Sequence, residues 1–559
     1  MPTLRVAAAQ FAAGTNSDAN RRACCRLVDD AAVQGVEVLV LPEFSNHCAW
    51  YDDADHAWQV AVTVDGPFVA AVAARAPAHS MYVQLNVSLR SSDVPGSALT
   101  ASNLLIGPDG TIVGRSDKCV LMGNENTYFE KATTPNPVLD LPFGRVGLYA
   151  CMEGVIAEPP RSLAVRGADL LLNSLNSFAL DEASLHIPVR AAENAVFVVA
   201  ANKVGPIVPV EKIEMVAAML KVPPSALHGA GESQVVAPDG TVLAKGPRAR
   251  EAIVVADIDL AAARLKSRPD GTHRLHARRP SVYTRLAKPA CDDVPPAAES
   301  IIGAVAIPEA ATPEAVGDAV RRAVGQGAEL IVLPELCGAS DDAAADPAGV
   351  DWPSIVDSMQ HAAGAAVVAT SIRDDDGHVG VVVTSSGVIA RQLQIHLSQR
   401  HASWMRSLGD ALVPVDLPFG RLALIVGDDL TIPEVARLAG VLGCSIVAAP
   451  ITIAEAWETQ YGLIERSAEN RICLVAASAA LRFDGGILTS LPKELTLWAE
   501  RSERGFDGTI NVPDITRAPP GPGVTFAVIN PANAANKLIS KGTDLLAGRP
   551  WRVMQPLVT

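Results

Sequence analysis

The sequence contains one passage twice, and this repeat restricts the folds that are open to the chain. Residues 140–154 read DLPFGRVGLYACMEG and residues 416–430 read DLPFGRLALIVGDDL, so both begin with the same six residues. Gly427 follows Cys151 by 276 residues, and Arg466 follows Arg190 by the same interval. Further matches in the same order are QGVEVLVLPEF (34–44) with QGAELIVLPEL (326–336), RAAENAVFVVAAN (190–202) with RSAENRICLVAAS (466–478), and RRPSVY (278–283) with GRPWRV (548–553). Ordered matches of this kind indicate a tandem duplication of one folding unit.

The segment between the two copies is typical of a linker. AKPACDDVPPAAES, at 287–300, is rich in proline and acidic residues and has little apolar surface to bury. The chain has 559 residues, which is long for one core and sufficient for two domains. We therefore predict a first domain at 1–286, a linker at 287–300 and a second domain at 301–559.

Short apolar runs alternate with helical stretches in each copy. VEVLV, VGLYA, DLLLNS and AVFVVAA are apolar runs of strand length, typical of strands that are covered on both faces. PPRSLAVRG places prolines at the start of a helix and Gly167 just past its end. Each copy is therefore predicted to have an α/β fold.

Charge and cysteine content exclude several classes of partner. The net charge is −15 and the pI is near 5.2, with no basic run, which argues against nucleic acid and anionic membranes as partners. Nine cysteines are scattered without a CxxC motif, as in a cytoplasmic protein with reduced thiols. LRVAAAQFAAG near the start is interpreted as a buried first strand rather than a signal peptide. No apolar stretch approaches the ~20 residues that a membrane-spanning helix needs.

Four polar residues of the first copy follow or flank predicted strands, where α/β proteins place their functional side chains. They are Glu43 in LPEF, Lys118 in RSDKCV, Glu125 in ENTYF and Cys151 in YACME. A thiol becomes an effective nucleophile as a thiolate, which requires a base or a positive charge nearby. Glu43 is suited to accept the thiol proton, and Lys118 is suited to stabilise the thiolate and the oxyanion formed when a carbonyl is attacked.

Several motifs together resemble the nitrilase superfamily of carbon–nitrogen hydrolases. They are LPEF, the lysine that ends GPDGTIVGRSDK, the cysteine of RVGLYACMEG, RGADLLLN, RAAENAVFVVAAN and RRPSVY, and they span nearly all of residues 4–286. The resemblance implies an αββα sandwich with a Glu–Lys–Cys triad, which falls on Glu43, Lys118 and Cys151. A second glutamate that several family members carry falls on Glu125.

The surroundings of this triad depart from the family pattern. Val120 replaces the histidine that usually follows the lysine by two residues, and Met152 replaces an aromatic residue after the nucleophile. Glu153 gives the x-Glu pattern that is more frequent in true nitrilases. The resemblance places Tyr128, Met152 and Glu153 at the substrate. These departures leave the chemistry intact but leave the subfamily open.

The resemblance implies a cysteine-dependent hydrolase of a linear amide or N-carbamoyl substrate, which acts through a thioester and releases ammonia or an amine. It implies no metal and no organic cofactor, and the expected partner is a small-molecule amide, ureide or nitrile. A nitrilase is the close alternative, and an acyltransferase is a third. A non-catalytic binding or scaffold protein is the alternative from another class.

The second copy has lost most of these chemical positions, although Glu335 is retained in LPEL. The replacements are Gln394 for Lys118, His401 for Glu125 and Gly427 for Cys151. Glycine offers no nucleophile and glutamine carries no positive charge, so this copy is predicted to be catalytically inactive. We expect it to pack on the first copy as the built-in partner of an intrachain pseudo-dimer. Assembly into a larger homo-oligomer stays open.

The remaining candidates are assigned structural roles. Arg190 and Glu193 recur in both copies, which favours a structural ion pair over catalysis. Cys337 and Cys444 lie outside the nucleophile turn and are interpreted as buried structural thiols.

The sequence has two further features, a possible metal site in the second copy and an insertion in the first. A metal site formed by Glu335, His401, Asp428 and Asp429 matches no standard spacing of metal ligands. EKIEMVAAML, within the insertion at 204–233, predicts an amphipathic helix that lies either near the pocket mouth or on a distant surface.

Overall fold

The first half of the chain forms two six-stranded sheets in the computed structural model, which describes residues 3–339, 347–375, 377–479, 481–493 and 506–559. From edge to edge, one sheet contains Ala252–Ile258, Leu4–Gln10, Val38–Val40, Tyr82–Arg90, Leu99–Ile106 and Ile112–Asp117. The other contains Val242–Lys245, Gln234–Val236, Phe197–Ala201, Leu170–Ser174, Gly144–Ala150 and Val138–Leu141.

The helices of the first half connect these strands. The α-helices are Ser17–Val33, Ala54–Val60, Pro67–Ala73, Arg75–His79, Glu125–Tyr128, Met152–Val155, Glu158–Val165, Ile187–Asn194 and Ile213–Leu220. A π-helical turn covers Glu182–His186, and short 3₁₀ turns cover Val210–Lys212, Pro224–Leu227, Ala262–Arg264 and Pro280–Ala287.

The first strand shows why the half folds as four layers. Val6 and Ala8 pack toward the other sheet, whereas Ala7 and Ala9 pack toward the helix Ser17–Val33. Because successive residues of a strand point to opposite faces, a continuous apolar run needs a layer on each side. On the second sheet, the outer cover is formed by Glu158–Val165 and Ile187–Asn194.

The second half repeats this arrangement. Its first sheet contains Gly387–Leu393, His378–Thr384, Val367–Arg373, Leu330–Val332, Ile301–Ile307 and Gly523–Ile529, and its second contains Val415–Leu417, Gly420–Leu424, Ile446–Ile451, Cys473–Ser478, Gly486–Ser490 and Asp514–Ala518. A separate hairpin pairs Leu538–Ser540 with Thr543–Asp544. The predicted fold, two tandem αββα sandwiches, is confirmed.

The helices of the second half cover the corresponding faces. The α-helices are Pro313–Val324, Trp352–Ala362, Pro433–Val441, Leu463–Asn470 and Gln555–Val558. Short turns cover Pro347–Gly349, Gln399–His401, Gly427–Thr431, Glu458–Gly462, Pro531–Ala535 and Trp551–Val553. None of the helices in the described part of the chain combines the length and apolar character needed to cross a bilayer.

The two halves pack through their outer helices with pseudo-two-fold symmetry. Arg161 Nε donates to Glu434 Oε1 at 2.9 Å, and Arg437 Nε donates to Glu158 Oε2 at 2.9 Å. The second contact is the first one with each residue replaced by its counterpart 276 positions away. Such reciprocity is the signature of a two-fold interface, and it realises the expected intrachain pseudo-dimer.

A second buried ion network lies at the same interface. Arg190 Nη1 donates to Glu193 Oε1 at 2.7 Å, which confirms the predicted structural pair. Arg190 also donates to Glu469 Oε2 at 2.8 Å, and Arg466 pairs with both Glu193 and Glu469. The network therefore contains ion pairs within each helix and ion pairs between the two halves.

Candidate active site

Glu43 and Lys118 reach the same point from two strands of the first sheet. Glu43 lies just beyond Val38–Val40, and its N–H donates to the Leu175 carbonyl of the facing sheet at 3.1 Å. Lys118 follows Ile112–Asp117, and its N–H donates to Ala101 O at 2.9 Å. Both side chains are fully buried.

The ammonium group of Lys118 lies between two carboxylates. Lys118 Nζ donates to Glu43 Oε1 at 2.7 Å and to Glu125 Oε2 at 2.8 Å. The same oxygen of Glu125 accepts from the Met122 N–H at 2.9 Å, which fixes this carboxylate at the start of its short helix. Glu43 Oε2 has no hydrogen-bond partner among the described residues. The structure thus brings Glu43, Lys118 and Glu125 together, as the sequence predicts.

Cys151 stands at the turn after the strand Gly144–Ala150. Its backbone has φ +47° and ψ −112°, a region that L-residues rarely adopt. The Cys151 N–H donates to Ser174 O at 3.0 Å and lies 3.1 Å from Asn173 Oδ1, so the turn is held by the next strand. A strained turn of this kind is typical of nucleophiles that must project from a sheet.

Burial and charge set the protonation of the three groups. Burial raises the pKa of Glu43 to about 7, although Lys118 opposes this shift. Burial and the Glu43 charge raise the pKa of Cys151 well above its usual range, and Lys118 pulls it down. Burial acts against the charge of Lys118, but the Glu125 and Glu43 carboxylates outweigh it and raise the pKa of Lys118. The resting site therefore holds a thiol, an ammonium group and the Glu43 carboxyl group, whose pKa is about 7.

We expect kcat/KM to rise with pH through an apparent pKa of about 7. Glu43 can accept the thiol proton only as a carboxylate, and the fraction of carboxylate grows as the pH increases. The measurement is a profile of kcat/KM from about pH 5 to pH 9 on a substrate without ionisable groups. A rate that stays flat between about pH 6 and pH 8 would contradict this assignment.

The residues expected at the substrate have different surroundings from one another. Tyr128 is half-buried, and its ring packs edge-on against Tyr51 with centroids 5.3 Å apart. Met152 is buried in an apolar cluster with Ile510 and Met554 of the second half. Met152 is therefore assigned to the packing between the halves rather than to the substrate.

Glu153 is occupied by the backbone. Its Oε1 accepts from the Cys119 N–H at 2.9 Å, and its Oε2 accepts from the Ala150 N–H at 2.8 Å. These bonds tie the Cys151 turn to the segment that carries Lys118. Glu153 is therefore assigned to positioning the turn, and the x-Glu pattern gives no direct contact with a substrate.

Two buried charged residues near the triad were not singled out by the sequence. Glu182 is 1% exposed, neither of its carboxylate oxygens has a hydrogen-bond partner among the described residues, and burial raises its pKa to about 8. Its charge also raises the pKa of Cys151. Lys203 is fully buried, its Nζ has no partner in the described ranges, and burial lowers its pKa. DEAS and ANKVG carry no pattern that distinguishes such residues from surface loops.

The corresponding region of the second half has a similar backbone but lacks the thiol and the ammonium group. Gly427 has φ +56°, close to the angle of Cys151. The Gln394 N–H donates to His378 O at 2.9 Å, as the Lys118 N–H does to Ala101 O. His378 thus stands where the first half has the small Ala101, and its Cε1 would lie 3.3 Å from a Cβ atom added at Gly427.

Comparison with known proteins identifies the family. A family model described as carbon-nitrogen hydrolase matches residues 5–267. Omega-amidase NIT2 of Bos taurus is 30% identical over 275 residues, which cover 46% of this chain and 90% of that protein. The chain belongs to the carbon–nitrogen hydrolase family.

Other proteins are similar to about half of the chain. A nitrilase of Pyrococcus abyssi is 27% identical over 269 residues, covering 48% of this chain and 94% of that protein. Among solved structures, an amidase from Nesterenkonia sp. has a TM-score of 0.40 at 21% identity and covers 47% of this chain and 93% of its own. The NitFhit protein of C. elegans has a TM-score of 0.43 at 22% identity, with 51% and 67% coverage. The residues that match the family model include Glu43, Lys118 and Cys151.

Proposed function

We propose that this carbon–nitrogen hydrolase cleaves a linear amide or an N-carbamoyl compound, with Cys151 as the nucleophile. The observation that carries the proposal is the buried ammonium group of Lys118, which lies 2.7 Å from Glu43 and 2.8 Å from Glu125. Both Lys118 and Glu43 are close enough to Cys151 to shift its pKa. A base, a cation and a thiol in one water-poor site are the groups that acyl transfer to sulfur requires.

The reaction follows from these positions. Glu43 takes the thiol proton as Cys151 Sγ forms a bond to the substrate carbon, and Lys118 with a backbone N–H stabilises the oxyanion. The carbon–nitrogen bond then breaks, the proton passes from Glu43 to the nitrogen, and ammonia or an amine leaves. Water, deprotonated by Glu43, attacks the thioester and releases the acid and the thiol. Glu125 accepts a second hydrogen bond from Lys118 and so holds its ammonium group in place.

A nitrile is the second candidate substrate. The relative from Pyrococcus abyssi bears the name nitrilase, whereas the bovine relative bears the name omega-amidase. The same thiol and base serve both reactions, since a nitrile carbon is attacked as a carbonyl carbon is. The preference therefore has to be measured as the ratio of kcat/KM for matched amides and nitriles.

We also propose that the two halves of the chain have different roles. Residues 1–286 form the catalytic unit, residues 287–300 connect the units, and residues 301–559 form a unit without this chemistry. Gly427 and Gln394 in place of Cys151 and Lys118 support this division. The framework that the second unit shares with the first then serves to support the first unit.

We expect Cys151 to carry the acyl group during turnover of the preferred substrate. The test is a panel of linear amides, N-carbamoyl compounds and nitriles, assayed for ammonia and followed by mass spectrometry of the quenched protein. The Cys151 peptide should gain the acyl mass, and iodoacetamide labelling of Cys151 should fall when substrate is present. Cys444, buried in the second half, is the control thiol and should gain no acyl mass. An inert Cys151 with no turnover would instead favour a binding or scaffold protein.

A further inference from the structure

Three potential metal ligands meet in the second half of the chain. Glu335 follows the strand Leu330–Val332, His378 begins the strand His378–Thr384, and His401 ends the turn Gln399–His401. One ligand atom from each of these residues lies within 4.8 Å of the other two. All three side chains are buried. Because they come from three separate elements, the spacing in the sequence does not reveal the group.

His401 lacks the hydrogen bonds that a buried imidazole normally makes. The residue is 1% exposed, and neither of its ring nitrogens has a hydrogen-bond partner among the described residues. Its ring lies between those of His378 and Trp404, with centroid distances of 4.9 and 5.0 Å. Buried polar atoms are almost always paired, so a side chain with two unpaired nitrogens indicates a ligand.

His378 is held in the tautomer that a metal ligand needs. Gln394 Nε2 donates to His396 O at 2.8 Å and to Ser398 Oγ at 2.9 Å, so its Oε1 is the acceptor. That oxygen lies 2.6 Å from His378 Nδ1, which therefore carries the proton. The lone pair is left on Nε2, which accepts from the Ser371 hydroxyl at 2.7 Å and lies 3.9 Å from Glu335 Oε2, so a metal ion would take the place of the serine proton. A hydrogen bond to the far nitrogen is the usual support of a metal-bound histidine.

Glu335 directs one oxygen toward the histidines. Its Oε1 pairs with Arg400, whose charge is also neutralised by Asp428 at 3.1 Å. Its Oε2 has no hydrogen-bond partner within the described ranges. A Cβ atom on Gly427 would lie 2.7 Å from this oxygen and 3.3 Å from His378 Cε1. Glycine therefore keeps side-chain atoms away from the side of the cluster where Cys151 stands in the first half.

We propose that Glu335 Oε2, His378 Nε2 and one ring nitrogen of His401 bind a divalent first-row transition metal ion of the zinc type. Two imidazoles and a carboxylate are a common ligand set for zinc, and the side bounded by Gly427 gives the fourth position to water or a small anion. The site lies outside the triad of the first half and goes beyond the proposed hydrolysis.

The two aspartates considered from the sequence do not join the cluster. Asp428 is engaged by Arg400 and Arg268, and Asp429 accepts from the backbone N–H groups of Ile395 and His396. The set inferred from the structure therefore keeps Glu335 and His401 and replaces both aspartates by His378.

The test is titration of the chelator-treated full chain with Co²⁺, which reports its coordination through visible absorption. We expect one equivalent to bind and to give the intense absorption of a four-coordinate ion, and Zn²⁺ to displace it. His401→Gln should weaken binding by at least about tenfold. His401→Cys should instead add a thiolate-to-cobalt charge-transfer band at one equivalent of Co²⁺, while its circular dichroism stays that of the unmodified chain, since unfolding would expose the nine free cysteines.

Controls separate this cluster from other ligands in the protein. Cys151→Ala removes the reactive thiol of the first half, and His276→Gln removes one ring of the stacked pair His273–His276, whose centroids are 3.6 Å apart. Both variants should bind Co²⁺ as the unmodified chain does. Failure to bind one equivalent, binding that survives His401→Gln unchanged, or a His401→Cys variant without the new band would overturn the proposal. Amide turnover tests the first half separately, because the two sites share no residue.

Discussion

Cys151→Ala is expected to lower ammonia release from the preferred amide by at least about 10⁴-fold, because alanine cannot form the thioester. The Lys118–Glu43–Glu125 group remains intact in this variant, so substrate binding should be retained. Steady-state kinetics with an ammonia assay give the rate, and a binding titration gives the affinity. Activity that persists in Cys151→Ala would remove the mechanism proposed for this site.

The matched control uses the second half. Cys444→Ala should leave the rate unchanged, since this thiol is buried in the apolar core of the other unit. Gly427→Cys in the Cys151→Ala background should restore no activity. A Cβ at Gly427 would lie 2.7 Å from Glu335 Oε2, and Gln394 supplies no positive charge for an oxyanion. Restored turnover in that double variant would show that the second half had kept a usable site.

The fold could be predicted from the sequence because its strands are uninterrupted apolar runs. AVFVVAA became the strand Phe197–Ala201, covered on both faces, and Gly167 follows the helix Glu158–Val165 with φ +91°. Two matching copies of such runs required two similar sheet pairs. The sequence predicts that the two copies pack on each other but not which surfaces they use. The residues that join them, such as Arg161 and Glu434, are charged, and charged residues in a sequence normally indicate a solvated surface.

The proximity of the candidate site residues could be predicted because each of them follows or flanks a strand and falls on a motif of the family. Glu43, Lys118 and Glu125 meet as expected. The substrate contacts expected of Met152 and Glu153 are not found, since both side chains have other partners. A position next to the nucleophile does not fix the direction of a side chain. Met152 packs between the two halves, and Glu153 accepts from backbone N–H groups. Direction depends on tertiary neighbours that are distant in the sequence.

The site of the first half depends on segments of the second. Thr543 Oγ1 accepts from the Gly123 N–H at 2.8 Å and donates to Leu121 O at 3.0 Å, which braces the loop that carries Glu125. Asp181 accepts from the Ile510 N–H at 2.9 Å, which braces the turn that carries Glu182. The walls of the site are therefore completed across the interface.

The ion pairs of the interface could also form between two copies of the first half. Arg161 and Arg437 are counterparts, and so are Glu158 and Glu434. Two copies of the first half could therefore reproduce these pairs around a true two-fold axis. They could not reproduce the bracing by Thr543, because residues 506–559 lie in the other half.

We expect residues 1–290, expressed alone, to lose at least about 100-fold of the specific activity, since small displacements of catalytic groups cost this much. The exposed apolar patch around Met152 and the charged outer helices should drive the fragment into dimers or larger species. Size-exclusion chromatography with light scattering and the ammonia assay give the two readouts. Co-expression of residues 291–559 is the matched control and should restore a one-to-one complex with activity. A soluble and fully active monomer of 1–290 would show that the second half is dispensable, because the site would then be complete without its braces.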